Sequence, residues 1–130
     1  MLDTHVLVWL ASDPGKLSKR AADSIRQASH QGGLAIAAIT LWEISWLATN
    51  RRVQISGTVE SFVEKISSRT TILPITVRIA TLANQFTAAY SRDSRDPCDR
   101  LIGATALSEG IALITKDKNI RQSGELQTIW

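Results

Sequence analysis

The chain is expected to be an α/β domain with a mostly parallel sheet and helices on both of its faces. Three observations predict this. Short apolar runs such as "LAIAAI" and "IALIT" alternate with amphipathic stretches such as "LSKRAADSIRQASHQGG", and strands alternating with helices favour parallel pairing through right-handed crossovers. The length, 130 residues, suits one compact domain with a real core. No repeat, low-complexity tract or linker-like stretch divides residues 1–130.

Each element follows from local chemistry. "MLD" reads as the end of a strand and "THVLVWLA" as a helical turn or two, broken by "SDPG". The next helix has Ser18 as N-cap and Gly32-Gly33 as its stop. "LAIAAI" is a buried strand. It leads into the helix "TLWEISWLATN", whose apolar Leu41, Ile44, Leu47 and Ala48 recur at helical spacing. "TVESFVEKISSR" is a helix capped by Thr58, "TILPI" a strand ended by Pro74, and "TVRIATLANQF" a helix capped by Thr76. A polar loop, "TAAYSRDSR", precedes the helix "DPCDRLIGATALSEG", with Asp96 as N-cap, Pro97 in its first turn and Gly110 as its stop. "IALIT" and "LQTIW" are the last two strands.

Composition narrows the functional classes. With 44% hydrophobic and 21% charged residues, the chain is not a disordered segment. No apolar run approaches the roughly 18 residues that span a bilayer. No basic stretch precedes the N-terminal apolar run, so no signal peptide is expected. Cys98 stands alone, which excludes an internal disulfide and suits a reducing cytoplasm. The net charge is +3, from 15 Lys+Arg and 12 Asp+Glu. Clustering acids in one site would leave the remaining surface more basic, which favours an anionic partner such as nucleic acid. Composition alone favours the plainer reading of a Lys/Arg-rich soluble surface.

In parallel α/β sheets, sites form at the carboxyl ends of the strands, near a topological switch point. Four acids fall there. Asp3 ends the first strand, Glu43 and Asp99 lie in the first turns of helices, and Asp117 follows "IALIT". Three of them have a local explanation. Thr40 to Glu43 has the form of a capping box. Asp99 suits a helix N-terminus, and Asp117 suits a turn. Asp3 has no such explanation, because it stands in an apolar run with no cap or turn to serve. Jointly, four carboxylates at one edge repel each other and raise each other's pKa values. A divalent cation removes that penalty. Hard oxygen donors without His/Cys pairs at zinc spacing point to Mg²⁺ or Mn²⁺, and such a site suits metal-assisted attack of water on a phosphodiester.

"LDTHVLVW", "TLWEIS", "DPCDRLIGATAL" and "LITKD", in this order, resemble the motifs of PIN-domain proteins. They are most similar to VapC-type toxins of bacterial toxin–antitoxin pairs. The resemblance runs nearly end to end. It implies a three-layer α/β/α sandwich around a central, mostly parallel sheet. The implied activity is Mg²⁺- or Mn²⁺-dependent endoribonuclease cleavage of structured RNA, transfer RNA or ribosomal RNA, by metal-activated water. It further implies a homodimer neutralised by a VapB-type antitoxin. Asp3, Glu43, Asp99 and Asp117 match the family's four acids and would be both catalytic and metal-ligating. Asp96 belongs to the "DPxDR" form as a helix cap with a supporting role, and Thr115 matches a hydroxyl near the site. Family members carry more apolar residues before the first acid than Met1 and Leu2, so a shortened first strand and a looser Asp3 are expected.

Other residues invite weaker readings. His5 is expected to make a local hydrogen bond and His30 to face solvent. Trp9 is expected in the core, and Trp42 and Trp46, four apart on one helix face, in core or dimer packing. Cys98 is read as packing, and Arg51-Arg52 as complementing a helix C-terminus. Arg92, Arg95, Arg100, Lys116 and Lys118 flank the acidic edge. They would form a basic rim for RNA phosphates, and Arg100 could alternatively pair with Asp99. Two competing classes remain. A haloacid-dehalogenase-like phosphatase needs a D-x-D pair, and here the second position is His5. A PIN-fold RNA-binding module without catalysis would not need acids at all four positions.

Overall fold

The computed structural model describes residues 1–85 and 96–130. The end of the "TVRIATLANQF" helix at Phe86, the expected polar loop, and Arg92 and Arg95 of the expected basic rim lie outside the described residues.

Seven α-helices, four short strands and one 3₁₀ turn follow one another in the described residues. Helix α1 (Thr4–Ser12) ends at the 3₁₀ turn Pro14–Lys16. Helix α2 (Lys19–Gln31) is capped by the Ser18 hydroxyl, which accepts from Ala21 N at 3.1 Å. Strand β1 (Leu34–Ala37) runs directly into α3 (Ala38–Thr49). Then come α4 (Val59–Ser67), capped by Thr58, strand β2 (Thr70–Leu73), and α5 (Val77–Gln85), where the Thr76 hydroxyl accepts from Ile79 N at 3.2 Å. Helix α6 (Pro97–Glu109) is followed by β3 (Leu113–Ile114), α7 (Lys118–Gln122) and β4 (Thr128–Ile129). Asp96 caps α6, and Gly110 ends it at φ 63°, a left-handed conformation that costs glycine nothing.

Among the described residues all strand pairing is parallel. β1 pairs with β2, and β3 with β4. Residues Met1–Asp3 join the two ladders. Leu2 N donates to Ala35 O at 2.8 Å on one side. On the other, Ile114 N donates to Met1 O at 2.9 Å and Asp3 N to Ile114 O at 3.1 Å. The order across the sheet is therefore β2, β1, Met1–Asp3, β3, β4. The chain leaves the centre, fills one side, then returns to fill the other, so Asp3 stands at the switch point where such sheets place their sites. The loosening expected for Asp3 is not observed: these bonds hold its backbone, and the residue is 2% exposed.

Alternate strand residues feed two cores, as period-two side-chain alternation requires. Leu2, Ile36 and Ile114 pack on one face with Val6 and Leu7 of α1, Ala21 and Ile25 of α2, and Ile66 of α4. Ala37 and Leu113 pack on the other face with Ile79 of α5, Ile102 of α6 and Ile120 of α7. Helices thus cover both faces of a parallel sheet, as the three-layer expectation has it.

Four expectations are corrected. "LAIAAI" is strand only to Ala37, because Ala38 and Ile39 already belong to α3. Thr40 is therefore inside the helix and buried, Glu43 falls in the second turn, and no capping box forms. "TKDKN" does not make a simple turn but starts α7, whose five residues are too short for a periodic signal. Trp9 is half-buried rather than core; Trp42 and Trp46, at 59% and 46% exposed, are not core either, which leaves the dimer-packing alternative for them.

Candidate metal centre

Asp3 is the N-cap residue of α1, yet its side chain does not cap the helix. It turns instead to groups from the far end of the chain. The Thr115 hydroxyl donates to Asp3 Oδ2 at 2.5 Å, and His5 Nδ1 lies 3.4 Å from the same oxygen. Thr115 follows β3 directly and is fully buried. Its oxygen also accepts from Asp117 N at 3.0 Å, so one hydroxyl ties two of the four acids together. His5 thus has a local partner, as expected of it, and a second one across the fold. Its Nε2 accepts from Lys116 N at 3.0 Å, a contact between residues 111 apart in sequence. With Nε2 accepting, Nδ1 carries the proton and faces the Asp3 carboxylate.

Glu43 reaches the same region from α3. Thr4, the residue after Asp3, donates its hydroxyl to Glu43 Oε2 at 2.6 Å and lies 3.3 Å from the Thr40 hydroxyl. Asp99 comes from the first turn of α6. Asp117 is the N-cap of α7, its Oδ1 accepting from Asn119 N at 2.7 Å and Ile120 N at 3.0 Å. Asp96 is exposed and spends Oδ1 on Cys98 N, as a cap should.

The electrostatics show that these acids share one region. Burial pushes Asp99 up to about 7, and the charges of Asp3, Asp96, Asp117 and Glu43 push the same way. Burial also raises Asp3, opposed by His5 and by the Thr115 hydroxyl, with Asp117 adding to the rise. Glu43 is raised by burial, opposed by Thr4, with Asp3 and Asp96 adding to the rise. Burial, together with Asp96 and Glu43, lifts the Cys98 thiol to about 12. Cys98 is therefore neither a thiolate ligand nor a nucleophile at neutral pH, which agrees with a packing role.

Acids raised by burial first and by neighbouring negative charge second, as Asp3, Glu43 and Asp99 are, are short of positive charge. Its donors are hard carboxylate oxygens, a set suited to Mg²⁺ or Mn²⁺. Among the described residues, no three His, Cys, Asp or Glu side chains stand close enough to grip a single ion directly. Mg²⁺ does not need that: it keeps several waters and takes one or two carboxylates directly. The residues present fit a hydrated hard cation and do not fit a closed zinc site.

The described part of the basic rim divides. Lys116 and Lys118 are exposed beside Asp117. Lys116 Nζ lies over the Trp9 and Trp130 rings, 5.5 and 6.0 Å from their centroids. Arg100 is half-buried and, among the described residues, makes no ion pair with Asp99; its Nε is buried without a hydrogen-bond partner. Sequence reasoning missed Thr4 and undervalued His5. Each acts across the fold, Thr4 on an acid of α3 and His5 on the backbone after β3, and no local pattern encodes either contact.

The model of the PIN domain family matches residues 1–126. The chain belongs to the PIN-domain family. Within it, the sequence is of the VapC type: it is 34% identical over 132 residues to Ribonuclease VapC22 of Mycobacterium tuberculosis, covering 100% of this chain and 97% of that protein. Solved structures agree on the fold. One is VapBC2 from Rickettsia felis bound to a DNA fragment from its promoter, with a TM-score of 0.74 at 16% identity, covering 98% of this chain and 95% of that one. VapBC-1 from nontypeable Haemophilus influenzae also has a TM-score of 0.74, at 23% identity, covering 98% and 94%.

Proposed function

We propose that this chain is a divalent-metal-dependent endoribonuclease, the toxin of a bacterial toxin–antitoxin pair. The observation that carries the reading is that Asp3, Glu43 and Asp99, buried at the switch point of a PIN fold, are each raised, by burial first and by neighbouring acids second. The ribonuclease named among its relatives supports the activity. Asp3, Glu43, Asp99 and Asp117 would hold Mg²⁺ or Mn²⁺. When bound, the cation supplies a Lewis acid that activates water and offsets charge on the scissile phosphate.

The chain's own groups have definite tasks. Thr115 and His5 fix the Asp3 carboxylate, so that its lone pairs keep their aim without reorganisation. Thr4 does the same for Glu43. Asp117 is held through its own cap, and Asp96 supports Asp99 by capping the helix that carries it. Asp99, pushed up to about 7, would have to be in its deprotonated form to hold a cation. Lys116, Lys118 and Arg100 would meet the RNA backbone, with Arg92 and Arg95 assigned to the same rim from the sequence.

Transfer RNA or ribosomal RNA is the proposed substrate class. A VapB-type antitoxin is the proposed partner, a reading supported by the VapBC assemblies among the structural neighbours. Exposed Trp42 and Trp46 support a homodimer. Among the described residues no helix is long and apolar enough to cross a membrane, and a cytoplasmic location is proposed. A binding module without catalysis draws on one observation, the lack of a direct three-residue grip on an ion. The test separates the two readings. The purified chain should cleave RNA with Mg²⁺ or Mn²⁺ and not with EDTA, and Asp3→Asn or Asp99→Asn should lower the rate at least 100-fold. Absence of cleavage with either metal, or variants as fast as the parent, would sink the enzyme reading.

A further inference from the structure

A second charged feature lies beside the acidic edge. A cavity of about 420 Å³ opens between α2, α7 and β4. Among the described residues it is lined by Arg20, Lys118, Arg121, Gln122, Thr128 and Trp130, none of them acidic. The three cations are exposed, and among the described residues none of them is ion-paired. Three like charges around one opening repel each other, and an anion in the opening relieves that. The volume lies within the ~300–1,000 Å³ common for small-ligand sites.

Aromatic rings connect this cavity to the acids. The Trp130 and Trp9 rings are 6.0 Å apart, and Trp9 and His5 are 4.8 Å apart. His5 Nδ1 is 3.4 Å from Asp3. On the other side, Lys118 follows Asp117 directly. Cations for phosphates and flat rings for bases are the two components of single-strand recognition.

We propose that this cavity is a nucleotide subsite for the RNA strand flanking the cleaved bond. Arg20, Lys118 and Arg121 take its phosphates, and a base stacks on Trp130, on the side of the ring away from Lys116. The inference rests on the nuclease reading and adds the path of the substrate to it. The strand must be single there, because a paired base cannot reach a ring face. An acidic peptide would use the cations but leave the tryptophan faces idle, whereas RNA uses both.

The test is fluorescence anisotropy of a labelled single-stranded oligoribonucleotide, at low salt, with EDTA and the Asp99→Asn chain both chosen to keep the probe uncut. Adding R20Q/R121Q should weaken binding about tenfold and make the salt dependence shallower by about 0.7 per lost phosphate contact. Adding W130A should weaken binding about tenfold as well, and W130F should restore most of it. Both arginines are exposed, so a thermal melt of R20Q/R121Q should match its parent. Unchanged binding by R20Q/R121Q overturns the proposal, as does a polyglutamate peptide that competes as well as RNA at equal charge. Cleavage by the unmutated chain is scored separately. Cleavage with pocket-independent binding removes the subsite and leaves the nuclease. Pocket-dependent binding without cleavage keeps the subsite and removes the nuclease.

Discussion

Thr115 shows how one buried hydroxyl can organise a charged site. It donates to Asp3 and accepts from the backbone of Asp117, so it serves a carboxylate and positions the next one. Thr115→Val keeps the shape and removes both bonds, leaving a buried carboxylate short of a donor. The expected cost is about 1–3 kcal/mol of stability and a 10- to 100-fold loss of Mn²⁺ affinity. Thr115→Ser should recover most of both, as thermal melts and calorimetric titration would show. At this scale the sequence was readable where a residue lacked a local reason to exist. Asp3 stood out because an apolar strand has no use for a charge. Thr4 and His5 did not stand out, because their partners lie 39 and 111 residues away.

At the scale of elements, caps were legible and short elements were not. Ser18, Thr58, Thr76 and Asp96 each accept a backbone N–H at the start of a helix, as their residue types foretell. Helix α7 was missed because five residues cannot show a helical period. The start of α3 was misplaced because Ala38 and Ile39 suit a buried strand as well as a helix buried at its base. Asp117 caps helix α7, and the proposed function adds the role of a site acid, which substitution can separate from the cap. Asp117→Asn keeps a good N-cap and loses the charge, whereas Asp117→Ala loses both. Asp117→Asn should melt close to the parent and bind Mn²⁺ at least tenfold more weakly. Asp117→Ala should also lose about 1 kcal/mol of stability. Equal Mn²⁺ affinity in parent and Asp117→Asn would confine Asp117 to its cap.

At the scale of the whole molecule, the acidic edge makes stability depend on pH, and under the proposed function on cations as well. Asp3, Glu43 and Asp99 hold their protons more tightly folded than unfolded. Between roughly pH 4, where unfolded carboxyls release protons, and the Asp99 value of about 7, the folded chain binds more protons than the unfolded one. Their contribution to stability is therefore present at the acid end and is lost as pH rises through this window. In EDTA, Asp99→Asn should flatten that slope and, at pH 8, raise the melting temperature by about 3–5 °C, on the order of 1 kcal/mol. Mn²⁺ should stabilise the parent at pH 8 and the variant much less. A melting temperature that rises with pH across this window in EDTA, with no change in Asp99→Asn, would contradict the picture.

The claim on which the rest depends is that carboxylates from four separate stretches of the chain act as one cation site. Calorimetric titration of Mn²⁺ at pH 8 into the parent, Asp3→Asn and Asp99→Asn tests it most directly. The expected result is saturable binding by the parent and at least tenfold weaker binding by each variant, with both variants still folded. Equal affinity in all three, or no saturable binding by the parent, would contradict it.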